Sequence, residues 1–211
     1  MAERLGWLYL DTGAMYRAVG LAFRDRGLPF TDSAAASLVS DLDVRLSPGP
    51  DRVLVALDGV DVTDRVRTPD AAEAASRASA LGPVREAMVA LQRRVAADQP
   101  TGVVVEGRDI GTVVFPDAAV KFFLVADLEA RARRRLADFE GGGPDLDAPA
   151  FETVRDELAA RDARDQDRAI SPLRAADDAV TLDTTALTID QQVDHVLDAV
   201  RRVEGAGASA P

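Results

Sequence analysis

Arginines on short turns and helical faces are the side chains of this sequence best suited to chemistry, and that chemistry is the binding of phosphate. Of the 25 basic residues, 24 are Arg, and Lys121 is the only Lys. A guanidinium is planar, always charged, and carries a fork of donors that matches phosphate oxygens. Arg108 and Asp109 follow Gly107 just after Val103-Val104-Val105. Three consecutive Val residues predict a short strand buried on both faces, as in a parallel sheet. Ligands of open α/β sheets bind beyond the carboxyl ends of the strands, where Arg108 and Asp109 would project. Arg131, Arg133, Arg134 and Arg135 crowd a segment that runs toward Gly141-Gly142-Gly143-Pro144. Arg161, Arg164 and Arg168 fall at i, i+3 and i+7, one face of a helix, with Asp165 beside them. Spacing alone leaves three other readings open: a solvated turn, a basic surface face, and a row of surface ion pairs. An Arg-rich, Lys-poor chain is also what a GC-rich genome encodes.

The elements that must position these residues can be read in order. Met1 to Gly6 reads as the last turn of a helix, with Gly6 as its C-terminal glycine. Trp7-Leu8-Tyr9-Leu10 is a short strand, Asp11-Thr12-Gly13 its turn, and a helix starts at Ala14. Residues 41–67 change period to short β segments at 44–46, 53–57 and 60–62. The turns between them are Ser47-Pro48-Gly49-Pro50-Asp51 and Asp58-Gly59, which predicts a small antiparallel insertion. Helices follow over 71–80 and 84–97, the latter with Val84, Met88, Leu91 and Val95 on one stripe. Strands are predicted at 120–125 and 180–184. Thr188 and Gln191 form a capping box for a final helix that buries Ile189, Val193, Val196, Leu197, Val200 and Val203. His195 faces away from that stripe, and the small-residue tail 206–211 is predicted to be disordered.

Bulk properties set outer limits. A chain of 211 residues with 47% hydrophobic content is enough for one domain with a sizeable core. A net charge of −11 disfavours a nucleic-acid polymer as partner, although a mononucleotide needs only a few local cations. With no Cys there is no disulfide, thiolate metal site or Cys nucleophile. No apolar run is long enough for a membrane span and no signal-peptide core is present, so a cytoplasmic protein is expected.

The segment Gly107-Arg108-Asp109-Ile110-Gly111-Thr112-Val113-Val114-Phe115-Pro116-Asp117 closely resembles the corresponding part of bacterial cytidylate kinases. Leu10-Asp11-Thr12-Gly13-Ala14-Met15-Tyr16-Arg17 and the stretch from Arg161 to Leu173 extend the likeness over nearly the whole chain. The resemblance implies an α/β P-loop nucleoside monophosphate kinase fold. It has a parallel sheet with flanking helices, a small antiparallel β insertion and an Arg-rich lid. The implied domain covers 1–205, with an acceptor-nucleotide subdomain at about 24–97 and a lid at about 131–165. It implies transfer of a phosphoryl group from ATP, with Mg²⁺, to CMP or dCMP by a monomer with no metal site of its own. Thr12, Tyr16, Arg17, Arg108 and Arg168 would meet the acceptor phosphate; Ser76, Arg85 and Asp109 would read cytosine; Arg161 and Asp165 would hold the ribose. Arg131, Arg133 and Arg134, with Arg168, would offset charge on the transferred group.

One part of the family's pattern is missing. Phosphate cradling in P-loop kinases uses Gly-x-x-x-x-Gly-Lys-Ser/Thr, and no such run occurs in the 211 residues. The expectation is a chain shortened at its N-terminus that lacks this loop and the first, central strand of the sheet. Such a chain is expected to be loosely folded and catalytically silent. Two alternatives remain open: a non-catalytic CMP-binding protein, and a P-loop kinase of another small acceptor.

Overall fold

A computed structural model describes residues 1–49, 52–140, 149–166 and 172–207. The chain forms two compact units, Met1–Ile110 and Gly111–Pro211.

The first unit is built around one buried helix. Helix α1 (Ala2–Leu5) ends at Gly6 in the left-handed conformation, and β1 (Leu8–Asp11) follows. Helix α2 (Thr12–Asp25) begins two residues earlier than its apolar pattern suggests. The cause is a cap, because Asp11 Oδ1 accepts a hydrogen bond from the Ala14 N–H at 2.8 Å. Helix α3 (Asp32–Asp41) leads to strands β2 (Val44–Pro48), β3 (Val53–Leu57) and β4 (Val60–Asp61), an antiparallel sheet in the order β2-β3-β4. This is the insertion expected from the change of period. Asp58 and Gly59 both have positive φ, 51° and 79°, as a two-residue hairpin turn with the right twist requires. A one-turn 3-10 segment (Arg65–Arg67) then introduces α4 (Pro69–Ala78), α5 (Gly82–Ala97) and β5 (Val103–Glu106).

Strands β1 and β5 pair in parallel with Leu8 opposite Val103 and Asp11 opposite Glu106. The core lies beside them: Leu10, Met15, Val19 and Phe23 pack with Leu38, Val55, Val66, Val84 and Met88. The valines of β5 are half-buried and not enclosed on both faces, and among the described residues β1 is the only hydrogen-bonded neighbour of β5. Gln92 on α5 departs from this apolar interior. It is 1% exposed, and neither amide atom has a partner among the described residues. A buried unpaired amide costs about 1–3 kcal/mol. Gln92→Met keeps the length without the amide, so it is expected to raise unfolding free energy by roughly that amount. Denaturant unfolding checks this, and a loss of stability would mean that the amide has a water partner.

The second unit has strands β6 (Phe122–Val125) and β7 (Val180–Asp183), paired in parallel from Phe122 opposite Val180 to Val125 opposite Asp183. Helices α6 (Leu128–Glu140), α7 (Phe151–Gln166) and α8 (Ile189–Gly207) accompany them. The capping box forms as expected, with Thr188 N–H donating to Gln191 Oε1 at 2.9 Å and Gln191 N–H to Thr188 Oγ1 at 3.2 Å. Of the expected α8 stripe, Leu197 and Val200 are buried, but Ile189 is 79% exposed and Val203 43%. Ile189 lies in the first turn, and Val203 follows Val200, the last residue of the helix that is buried among those described. Helix α8 also takes in residues 206 and 207, which composition assigned to a tail; 208–211 lie outside the described residues. Among the described residues no helix is long and apolar enough to cross a membrane.

Candidate active site

Several side chains of the first unit meet where β1 and β5 end. Asp11 and Glu106 are the last residues of the two strands and stand in register. Thr12 Oγ1 donates to the Glu106 carbonyl at 2.6 Å, which ties the start of α2 to the end of β5. The Tyr9 hydroxyl donates to Glu106 Oε2 at 2.5 Å. Burial, and secondly this hydrogen bond to Glu106, raises the Tyr9 phenol above its ordinary pKa, so it stays a donor at any physiological pH. The end of β5 is therefore fixed from two sides before Gly107-Arg108-Asp109 begins.

Asp109 turns inward. Its carboxylate is paired with the guanidinium of Arg85 on α5, and the two side chains are only 9% and 8% exposed. Burying two charges costs several kcal/mol each, and apolar residues in their place are often as stable or more so. Stability alone is thus a weak reason for such a pair. Arg85 and Asp109 were expected to work together, and the structure brings them into contact.

The other expected residues of this unit stand as follows. Tyr16 is half-buried and packs against the core, and Arg17 follows it on α2, half-buried. Arg108 is exposed at the strand end. Ser76 is half-buried on α4, and its carbonyl accepts from Ser79 Oγ at 3.1 Å. Composition and spacing missed the partner of Asp11. Arg67 Nη1 lies 2.9 Å from Asp11 Oδ2, from the last residue of the 3-10 turn. The two residues are 56 apart in sequence, so no local pattern links them. The one available signal was an Arg immediately before Thr68-Pro69, a helix start that fixes its backbone.

The second unit holds the basic cluster on α6. Arg131 bonds to the Ala126 carbonyl through Nε at 3.2 Å and to Asp162 on α7 at 2.7 Å. Arg134 reaches the turn after β7, donating to the Thr184 carbonyl, to Thr184 Oγ1 at 3.2 Å and to the Thr185 carbonyl at 3.3 Å. Among the described residues Arg133 pairs only with Glu129, one turn away on the exposed face, at 2.8 Å. An open hollow of about 610 Å³ lies there, lined by Asp127, Leu128, Glu129, Ala130, Arg133, Arg155 and Thr185. Asp165 is buried, with Arg161 Nε at 3.9 Å, and its backbone carbonyl accepts from Leu173 N–H at 2.8 Å. Arg168 and the glycines at 141–143 lie outside the described residues. Lys121 is a structural residue here: its buried amine bonds the Pro116 carbonyl and both carboxylate oxygens of Asp178, at 2.8 and 2.7 Å. Among the described residues no group of three or more His, Asp or Glu side chains could hold a metal ion.

The family model described as Cytidylate kinase matches residues 1–202. The chain is similar to the cytidylate kinase of Salinibacter ruber, 48% identical over 209 residues, 98% of this chain and 91% of that protein. It is also similar to the cytidylate kinases of Limosilactobacillus fermentum, 42% identical over 96% of this chain and 88% of that protein, and Azotobacter vinelandii, 42% identical over 98% and 90%. The matched range includes residues of both units. The chain belongs to the cytidylate kinase family of phosphotransferases.

Proposed function

We propose that this protein binds CMP or dCMP at the end of β1 and β5 and serves phosphoryl transfer from ATP to that nucleotide. The observation that carries the reading is the buried Arg85–Asp109 pair beside the exposed Arg108. Cytosine presents a donor amine next to acceptor atoms, so a carboxylate and a guanidinium side by side complement its edge. A carboxylate has about four acceptor sites, so one Arg does not saturate Asp109. Ser76 adds a hydroxyl to this base site, and Thr12, Tyr16, Arg17, Arg108 and Arg168 serve the acceptor phosphate. Arg161 and Asp165 hold the ribose.

In the transfer, an oxygen of the CMP phosphate bonds to the γ-phosphorus of ATP, and the bond from that phosphorus to the β-γ bridging oxygen breaks to release ADP. The protein's part is positioning and charge neutralisation, without a covalent intermediate. Mg²⁺ comes with ATP as part of the substrate, and no step is assigned to a metal held by these residues. Among the lid arginines, Arg133 is the freest to meet the transferred group. Its exposed i,i+4 pair with Glu129 is worth only about 0.3–0.5 kcal/mol, whereas Arg131 and Arg134 have backbone acceptors to give up. The enzyme is read as a monomer of the cytoplasm.

The 211 residues contain no Gly-x-x-x-x-Gly-Lys-Ser/Thr run. That favours a second reading for these residues taken alone: CMP binding with ADP release near background. A coupled ADP assay with CMP, dCMP, UMP and AMP as acceptors tests both. Cytosine acceptors are expected to lead the panel in any chain that carries such a loop. A panel led by UMP or AMP would contradict the base assignment.

A further inference from the structure

We propose that Arg67 is a further acceptor-phosphate residue, with Asp11 as the counter-ion that aims it. The inference rests on the CMP-binding reading and adds to it a residue from a separate element. Arg67 is set on a rigid backbone. The preceding Val66 is fully buried, with its N–H on the Val62 carbonyl at 2.9 Å, and Arg67 N–H donates to the Asp64 carbonyl at 3.0 Å. Thr68 closes the turn, its hydroxyl donating to the Arg65 carbonyl at 2.9 Å and accepting from Ala71 N–H at 3.3 Å. From this anchor the side chain reaches back to the end of β1.

Asp11 is equally fixed. One carboxylate oxygen caps α2 at the Ala14 N–H, and the other takes Arg67, so its orientation is determined by the backbone. The Asp11 side chain is 11% exposed, but that of Arg67 is 36% exposed, so the guanidinium is clamped on one side and open on the other. Arg17 belongs to the same neighbourhood. Asp11 Oδ1 lies 3.2 Å, and the Arg17 guanidinium 3.9 Å, from the point that a Gly13 side chain would occupy. Asp11 and the phosphate-binding Arg17 thus flank one backbone step. An uncompensated carboxylate there would repel a dianionic phosphate. Arg67 cancels that charge and retains further N–H donors of its five. The open side of the guanidinium leaves its remaining donors available to a charged ligand. The chemistry recognised is a phosphate monoester, so the residue should separate CMP from cytidine.

The test is calorimetric titration of CMP and of cytidine into the wild-type chain, R67M and R67K. A lost charge-assisted hydrogen bond corresponds to roughly a 10- to 100-fold change in Kd. R67M is expected to weaken CMP by that factor and cytidine by less than about twofold, and R67K to weaken CMP less than R67M does. Thermal unfolding checks that each variant folds. If R67M does not fold, R67K decides: a loss confined to CMP supports the assignment, and equal losses for CMP and cytidine overturn it. Unchanged CMP affinity in a folded R67M overturns it as well. Wild-type chain that binds no CMP overturns the functional reading itself, an outcome distinct from a wild type that binds and an R67M that binds equally.

Discussion

Replacing Asp109 by Ala is expected to lower unfolding free energy by about 3–5 kcal/mol and to abolish CMP recognition. The substitution leaves the Arg85 guanidinium buried, charged and without its carboxylate. That cost comes from the abandoned partner more than from the lost bond. Removing both charges should therefore cost far less, and the double variant R85M/D109L is expected to lie within about 1–2 kcal/mol of wild type. CMP binding should be absent in both. Denaturant unfolding of D109A and of R85M/D109L, with a CMP titration of each, separates the two roles. If the double variant were as unstable as D109A, the pair would be a packing element and the argument for recognition would fail.

The second large effect is structural but reaches the site. Helices α2 and α4 cross at Gly20, where a Cβ would lie 2.7 Å from the Ala74 carbonyl carbon and 2.7 Å from the Ala75 nitrogen. Backbone atoms cannot rotate out of the way, so any side chain forces the helices apart. Overpacking of this kind costs about 1–3 kcal/mol, and Gly20→Val is expected at the upper end because its branched side chain also lowers helix propensity. Ser76 rides on α4, so CMP affinity should fall as well. Thermal unfolding of Gly20→Val and a CMP titration check both parts; a variant as stable as wild type would show that the crossing can open without cost.

Legibility in the sequence followed the range of the interactions. The antiparallel insertion was visible because Asp58-Gly59 carries the positive φ values of a hairpin turn in two adjacent residues. The Thr188–Gln191 box and the Gly6 helix end are equally local. The strand at Val103–Val105 was legible as a strand but not in its degree of burial, which depends on what pairs with its second edge. Arg85 and Asp109, 24 residues apart, could be joined only through the family resemblance, and Asp11 and Arg67 were joined by nothing in the sequence. Both pairs depend on a tertiary path, from α5 to the end of β5 and from the 3-10 turn back to β1. Lys121 shows the opposite case. A lone Lys in a kinase-like chain invites a phosphate role, yet its amine is occupied by Pro116 and Asp178.

The most direct test of the central claim, that Asp109 held by Arg85 reads a cytosine edge, is the ratio of CMP to UMP affinity measured by calorimetry in wild type and D109N. UMP offers a carbonyl where CMP offers an amine. A carboxylate facing that position should favour CMP by about tenfold or more, since a mismatched buried acceptor costs roughly 1–3 kcal/mol. An amide can present a donor instead, so the ratio is expected to fall toward unity in D109N. Equal affinity for the two nucleotides in wild type, or the same preference in both proteins, would contradict the assignment.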